Sequence, residues 1–302
     1  MKRSVRLSLV VLLAALGGCS VEKMAVDAIG NSMVGGGAGG AFAADEDPDL
    51  IREALPFGLK TFESMLSVSP QNLGLLQASA QGFTGYAFLL QLEADRIDAT
   101  DPANARAALD RARRLYLRGR DYALRGVEKR HPGFVARFRR DPRTAIAATT
   151  TADAPLLYWA GAAWAAAIGA GPIDLELVAE LPYAIALVAR VLQLDPGFDA
   201  GAADEFFITV EASRPGGDLA AARAHYRRAV ELSKGRKAGP HVALAESVVV
   251  REQNRAEFEA LLEMARTVDI RAAPEHRLAN AIALRRATAL QARIASLFID
   301  FE

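Results

Sequence analysis

From Pro48 onward, apolar residues recur three and four positions apart, the spacing that lines one face of a helix. No stretch holds the two-residue alternation of a half-buried strand for long. Prolines and glycines punctuate the pattern at helix-length intervals. Alanine is abundant between them, which favours helix and lets neighbouring helices approach closely. The pattern predicts an all-α body over residues 48–302, a single repeat-like domain built as a tetratricopeptide-like array of antiparallel helix pairs. A small–large–small signature of such pairs occurs at Gly58/Phe62/Met65, Ala105/Leu109/Ala112, Ala184/Val188/Val191, Ala222/Tyr226/Ala229 and Phe258/Leu262/Ala265. The last three sets begin 38 and 36 residues apart, near the roughly 34-residue period of these repeats.

One segment breaks the amphipathic rhythm. Between Asp153 and Asp174 lie 20 uncharged residues, long enough for a membrane span. Alanine and glycine dominate it, and Pro155 and Pro172 bracket it, which favours a central Ala-rich helical layer buried on all sides. Tyr158, Trp159 and Trp164 sit there as candidate ligand-binding residues. Aromatic rings combine large contact area with a polar handle, so the two readings are core packing and the lining of an apolar cavity.

The first twenty residues follow a different plan. Lys2, Arg3 and Arg6 precede an apolar run from Leu7 to Leu16 that is too short for a finished transmembrane helix. Leu16-Gly17-Gly18-Cys19 then resembles a bacterial lipobox. The expectation is a signal peptide over residues 1–18, cleaved before Cys19, with lipidation of the Cys19 thiol and attachment to a membrane. Residues 19–47 are expected to form a flexible tether, because Gly35 to Gly40 and the acidic Asp45-Glu46-Asp47 cannot offset the entropy of a fixed structure. Such a coil reaches roughly 30 Å. A short helix from Val21 to Met33 is the weaker reading. Ser20 after the acylated cysteine favours the inner leaflet of the outer membrane, facing the periplasm, in a cell with two membranes.

Composition narrows the chemistry. Cys19 is the only cysteine, so after acylation no disulfide, thiolate metal site or cysteine nucleophile remains. The chain carries 36 basic and 36 acidic residues, and loss of the signal peptide leaves the mature protein slightly acidic, which argues against nucleic-acid binding. The charges are unevenly spread: residues 106–143 hold 13 Lys/Arg against 4 Asp/Glu, and residues 174–211 hold 8 Asp/Glu against Arg190 alone. Arg111, Arg114, Arg118 and Arg125 fall on one helical face. They are candidate partner-binding residues, the alternative being a solvated face paired with acidic neighbours. His131, His225, His241 and His276 are scattered without metal-ligand spacing, and no nucleophile elbow or phosphate-binding loop occurs. The expectation is a protein that is not an enzyme and has no cofactor or metal.

Several segments together carry a resemblance. They are Ala54 to Thr61, Gly82 to Phe88, Leu115 to Tyr122, Pro155 to Trp164, His225 to Ser233 and Arg277 to Asn280. In this order the chain resembles the TatT family, the T component associated with tripartite ATP-independent periplasmic (TRAP) transporters. The resemblance implies a tetratricopeptide-like periplasmic lipoprotein that forms a homotrimer. It also implies docking to the transporter's solute-binding protein and a cavity for a small hydrophobic or carboxylate ligand. The family's histidine before the acidic position at Glu205 is replaced here by Asp204. The alternative function is a tetratricopeptide-type scaffold lipoprotein for envelope assembly.

Overall fold

In the computed structural model, residues 22–32, 37–171 and 173–299 are described, and among them every regular element is helical. The signal-peptide and Cys19 expectations lie outside the described residues.

Residues 22–32 form α1, and α2 spans Gly37–Ala43. Much of the described part of the expected tether is therefore helical, and α1 is held to the body by specific contacts. Gly30 is buried where a β-carbon would lie 2.4 Å from the Asn72 side chain and 2.8 Å from Leu75; its missing side chain is what lets α1 come this close. Asp27 accepts from the Ser69 hydroxyl at 2.5 Å and from Asn72 Nδ2 at 3.0 Å. Val26 packs on a small cluster of Leu66, Leu75 and Leu76. These ties order α1 where the sequence offered a short helix from Val21 to Met33 as its weaker reading.

Helix α3 (Pro48–Val68) starts at Asp47, whose carboxylate caps the Asp49 and Leu50 amides, with Pro48 in the first turn. Asn72 caps α4 (Leu73–Ile97) and Asp101 caps α5 (Pro102–Arg130). These two long helices form a hairpin. Short helices α6 (Phe134–Arg140) and α7 (Pro142–Ala147) lead to α8 (Ala154–Gly169), the uncharged segment. It packs on α4, on α5 and, beyond α9 (Leu175–Val178), on α10 (Leu181–Leu194). Leu157, Ala160, Ala163, Trp164 and Ala167 are all at most 1% exposed, so α8 is a core helix. Among the described residues no helix is long and apolar enough to cross a membrane.

The C-terminal half comprises α11 (Ala202–Ser213), α12 (Leu219–Ser233), α13 (Gly239–Leu244) and a π turn (Ala245–Val249). It continues through α14 (Arg255–Arg266), α15 (Arg277–Ala292) and α16 (Ile294–Leu297). The small–large–small triplets of α10, α12 and α14 mostly supply buried positions: Ala184, Val188, Val191, Ala222, Ala229, Phe258, Leu262 and Ala265 are fully buried. Helix lengths run from 29 residues in α5 to 4 in α9 and α16, unlike the even pairs of a regular repeat array.

Two hydrophobic cores result. One runs from Leu59 to Val210 and the other from Ile208 to Phe298. Helix α11 belongs to both, turning Ala203, Phe207 and Val210 to the first and Ile208 and Ala212 to the second. The halves also meet where α15 returns to the N-terminal helices. Arg277 donates to the Ala44 carbonyl at 3.1 Å, Arg285 reaches Asp49 at 2.7 Å, and Arg286 bridges Asp95 of α4 and Glu246 of the π turn. Arg286 is mostly buried and forked onto Glu246 at 2.5 and 2.7 Å, whereas Arg285 is half exposed. Charge-assisted, partly buried pairs stabilise more than exposed ones. Arg286→Met is accordingly expected to cost about 2 kcal/mol and Arg285→Met less than about 0.5 kcal/mol in chemical denaturation.

Candidate functional site

The seam between the two cores gathers the most unusual polar chemistry. Its centre is Lys237, which lies between α12 and α13 with a side chain only 7% exposed. Its ammonium sits 2.8 Å from Glu205 of α11 and donates to the Asp199 carbonyl at 3.4 Å. Burial pushes the amine downward, but Glu205 and Asp199 outweigh it and hold the lysine above its ordinary range.

The loop that delivers Asp199 is strained. Asp199 and Ala200 adopt left-handed backbone angles, φ 43° and 51°, before Gly201 at φ 89°. Non-glycine residues rarely adopt this region, and strain of this kind collects where structure serves binding. The left-handed run turns the Asp199 carbonyl onto Lys237 and leaves its carboxylate 3.9 Å from His276. Half of the Asp199 side-chain surface is reachable, yet protein surrounds it. This recessed setting pushes its carboxyl upward despite Lys237 and His276. Burial pushes His276 and His241 down, against the pull of Asp199 and Glu205 respectively.

Tyr158 of α8 borders this group. Its ring packs edge-on against Trp159 at 5.2 Å and tilted against Phe198 at 5.2 Å. Burial, then the charges of Glu205 and Asp199, raise its phenol far above its usual range. Tyr158 and Trp159 are both half-buried. The third aromatic residue named from sequence lies elsewhere: Trp164 is 1% exposed, stacks on Tyr183, sits beneath Arg120 and donates its indole N–H to Glu180 at 3.0 Å. The three aromatics therefore occupy two environments, with Tyr158 and Trp159 at the seam and Trp164 inside the first core.

The arginines named from sequence lie along α5, and three of the four have intramolecular roles. Arg111 donates to the Tyr86 hydroxyl and lies over its ring. Arg118 pairs with Glu63 and covers Phe83. Arg125 donates to the Pro70 carbonyl and covers Tyr122. Arg118 and Arg125, with Asp121 and Tyr122, line a shallow depression of about 200 Å³. Arg114 is exposed and makes no hydrogen bond or ion pair among the described residues.

Sequence reasoning missed Lys237, Glu205, Asp199 and His276 as a group. Their separation along the chain hides them, and only the acidic excess of residues 174–211 pointed toward the seam. Position 204 also becomes clear: Asp204 is 1% exposed and accepts from His225 Nδ1 of α12 at 2.7 Å, with Arg228 at 3.5 Å. Adjacent acids on α11 thus serve different neighbours.

Two comparisons bear on this architecture. A family model described as TRAP transporter T-component matches residues 44–298. An uncharacterized protein of Treponema pallidum (strain Nichols) is 27% identical over 267 residues, covering 86% of this chain and 83% of the relative.

Proposed function

We propose that this chain, which belongs to the TRAP transporter T-component family, works as a lipid-anchored periplasmic accessory subunit that docks the transporter's solute-binding protein. The family match across residues 44–298 carries this reading, because it takes in both cores and the seam. The lipobox-like run ending in Cys19 supports export and anchoring, and the order Gly18-Cys19-Ser20 supports the inner leaflet of the outer membrane. In this reading the protein is a non-catalytic binding component that assembles as a homotrimer.

The proposal extends to a small hydrophobic or carboxylate ligand, which the seam supports. Tyr158 and Phe198 offer an aromatic wall beside a charged floor of Asp199, Glu205 and Lys237. A small apolar ligand would rest on the aromatic wall. A carboxylate ligand would compete with Glu205 for the Lys237 ammonium. Of the four arginines named from sequence, Arg114 is the one without a hydrogen bond or ion pair among the described residues, and so the one most open to a partner.

The test is a quantitative pull-down of the tagged, acylated protein from gently solubilised envelopes, analysed by mass spectrometry beside a Cys19→Ser comparison. Stoichiometric enrichment of a periplasmic solute-binding protein is the expected result. Recovery of envelope-assembly proteins in its place would overturn the transport reading in favour of a scaffold.

A further inference from the structure

We propose that the outer face of α1 and the basic end of α5 form a membrane-seating surface, so that the folded body rests directly on an anionic phospholipid bilayer. The inference rests on the lipid anchoring of Cys19 proposed above.

Three observations converge on one end of the molecule. Helix α1 begins at residue 22, three residues after Cys19; a chain of that length spans at most roughly 11 Å. The helix is fixed to the turn between α3 and α4 through Asp27, Ser69 and Asn72. An anchor on Cys19 therefore brings this turn close to the lipid surface.

The second observation is the helix face itself. At 100° per residue, Met24, Ala25, Ala28, Ile29 and Ser32 share the side opposite Val26, Asp27 and Gly30. All five are exposed, Met24 by 70% and Ile29 by 50%, and none carries charge. Lys23 is turned aside and paired with Asp27 at 2.5 Å, and the exposed Glu22 of the first turn borders this face beside Ile29. An apolar face flanked by polar groups is the form of a helix that lies in a bilayer interface.

The third observation is charge. Pro70 and Gln71 lie between Ser69 and Asn72, and each holds a cation from α5. Arg125 donates to the Pro70 carbonyl at 3.0 Å and Lys129 to the Gln71 side-chain carbonyl at 2.9 Å. Both side chains are exposed, and both meet neutral dipoles and not carboxylates in these contacts. Both are thus held at the turn that also holds α1, and their charge suits anionic headgroups.

The test uses the full acylated protein, in which Cys19 is blocked, so that an Ala28→Cys variant takes a single nitroxide label. It is reconstituted on vesicles of phosphatidylcholine alone or with phosphatidylglycerol, and label depth is read from oxygen against nickel-chelate collisions. On phosphatidylglycerol vesicles the label should read interfacial depth. Arg125→Gln/Lys129→Gln should lower the docked-to-undocked ratio roughly thirtyfold, about fivefold for each basic group. Met24→Gln/Ile29→Gln should also lower it. These two α1 positions are exposed, so loss of docking there with an unchanged melting curve separates seating from folding. A label that stays aqueous on a vesicle-bound, acylated protein would overturn the inference and leave the anchor reading intact. An N-terminal peptide mass without diacylglycerol would overturn both.

Discussion

Replacing Gly161 by alanine lowers stability by about 1–3 kcal/mol, although alanine is the better helix former by about 1 kcal/mol. The reason lies in the contact of α8 with α10. A β-carbon at Gly161 would sit 2.7 Å from the Ala184 carbonyl oxygen, 2.6 Å from Val188 Cγ2 and 3.3 Å from Leu187 Cβ. The carbonyl belongs to helix backbone and cannot rotate away, so the two helices must separate. Ala184, Leu187 and Val188 are fully buried, and separation loosens the first core along α8. Gly161→Leu should fail to reach the native fold. Gly85 provides the control: it lies inside α4 with nothing within 4 Å of its added β-carbon. Gly85→Ala should stabilise by up to about 1 kcal/mol. Urea unfolding of both variants checks the pair, and equal effects of the same sign would refute the packing argument.

Lys237→Met has the other large effect, a loss of about 2–4 kcal/mol. Removing the ammonium leaves Glu205 and Asp199 facing each other's charge at the seam without their shared cation. The partial exposure of Glu205 places the cost below that of a fully buried pair. A second change, Glu205→Gln, should recover more than half of the loss, because it removes the carboxylate in direct contact with the lost ammonium. The pH dependence has a definite sign. The folded-state pKa of Lys237 is raised, so its contribution is fully present below the ordinary lysine value of 10.5 and is lost as pH rises through the higher folded value. The wild-type advantage over Lys237→Met should also shrink in acid. There Asp199, whose carboxyl burial pushes upward, takes a proton early and relieves the variant. A cost independent of pH from 4 to 11 would show that methionine acts only through packing.

Periodicity made the helical class legible, and the triplets of α10, α12 and α14 were legible as buried faces, because burial repeats at helical spacing. The uncharged segment was legible as a core helix, since alanine and glycine suit close packing better than lipid contact. Helix α1 was legible only as the weaker reading, because its order depends on Gly30 meeting Asn72 and Leu75, more than 40 residues away. The arginine face was legible as a face but not as a set of ties. Whether Arg118 meets solvent or Glu63 depends on how α3 lies against the α4–α5 hairpin, and side-chain spacing within α5 carries none of that. The Lys237 group was the least visible. It assembles residues 199, 205, 237 and 276 through a left-handed loop that no local pattern announces.

The return of α15 to the N-terminal helices sets an order of events for a chain that is threaded from its N-terminus. Residues 59–210 contain every buried side chain of the first core, so that core can condense while the rest is still emerging. The clasps formed by Arg277, Arg285 and Arg286 join partners 233, 236 and 191 residues apart. Contacts so distant carry the largest loop-closure cost and must wait for nearly the last residues. Until then α3 and α4 lack these ties, and their formation signals that α15 has arrived.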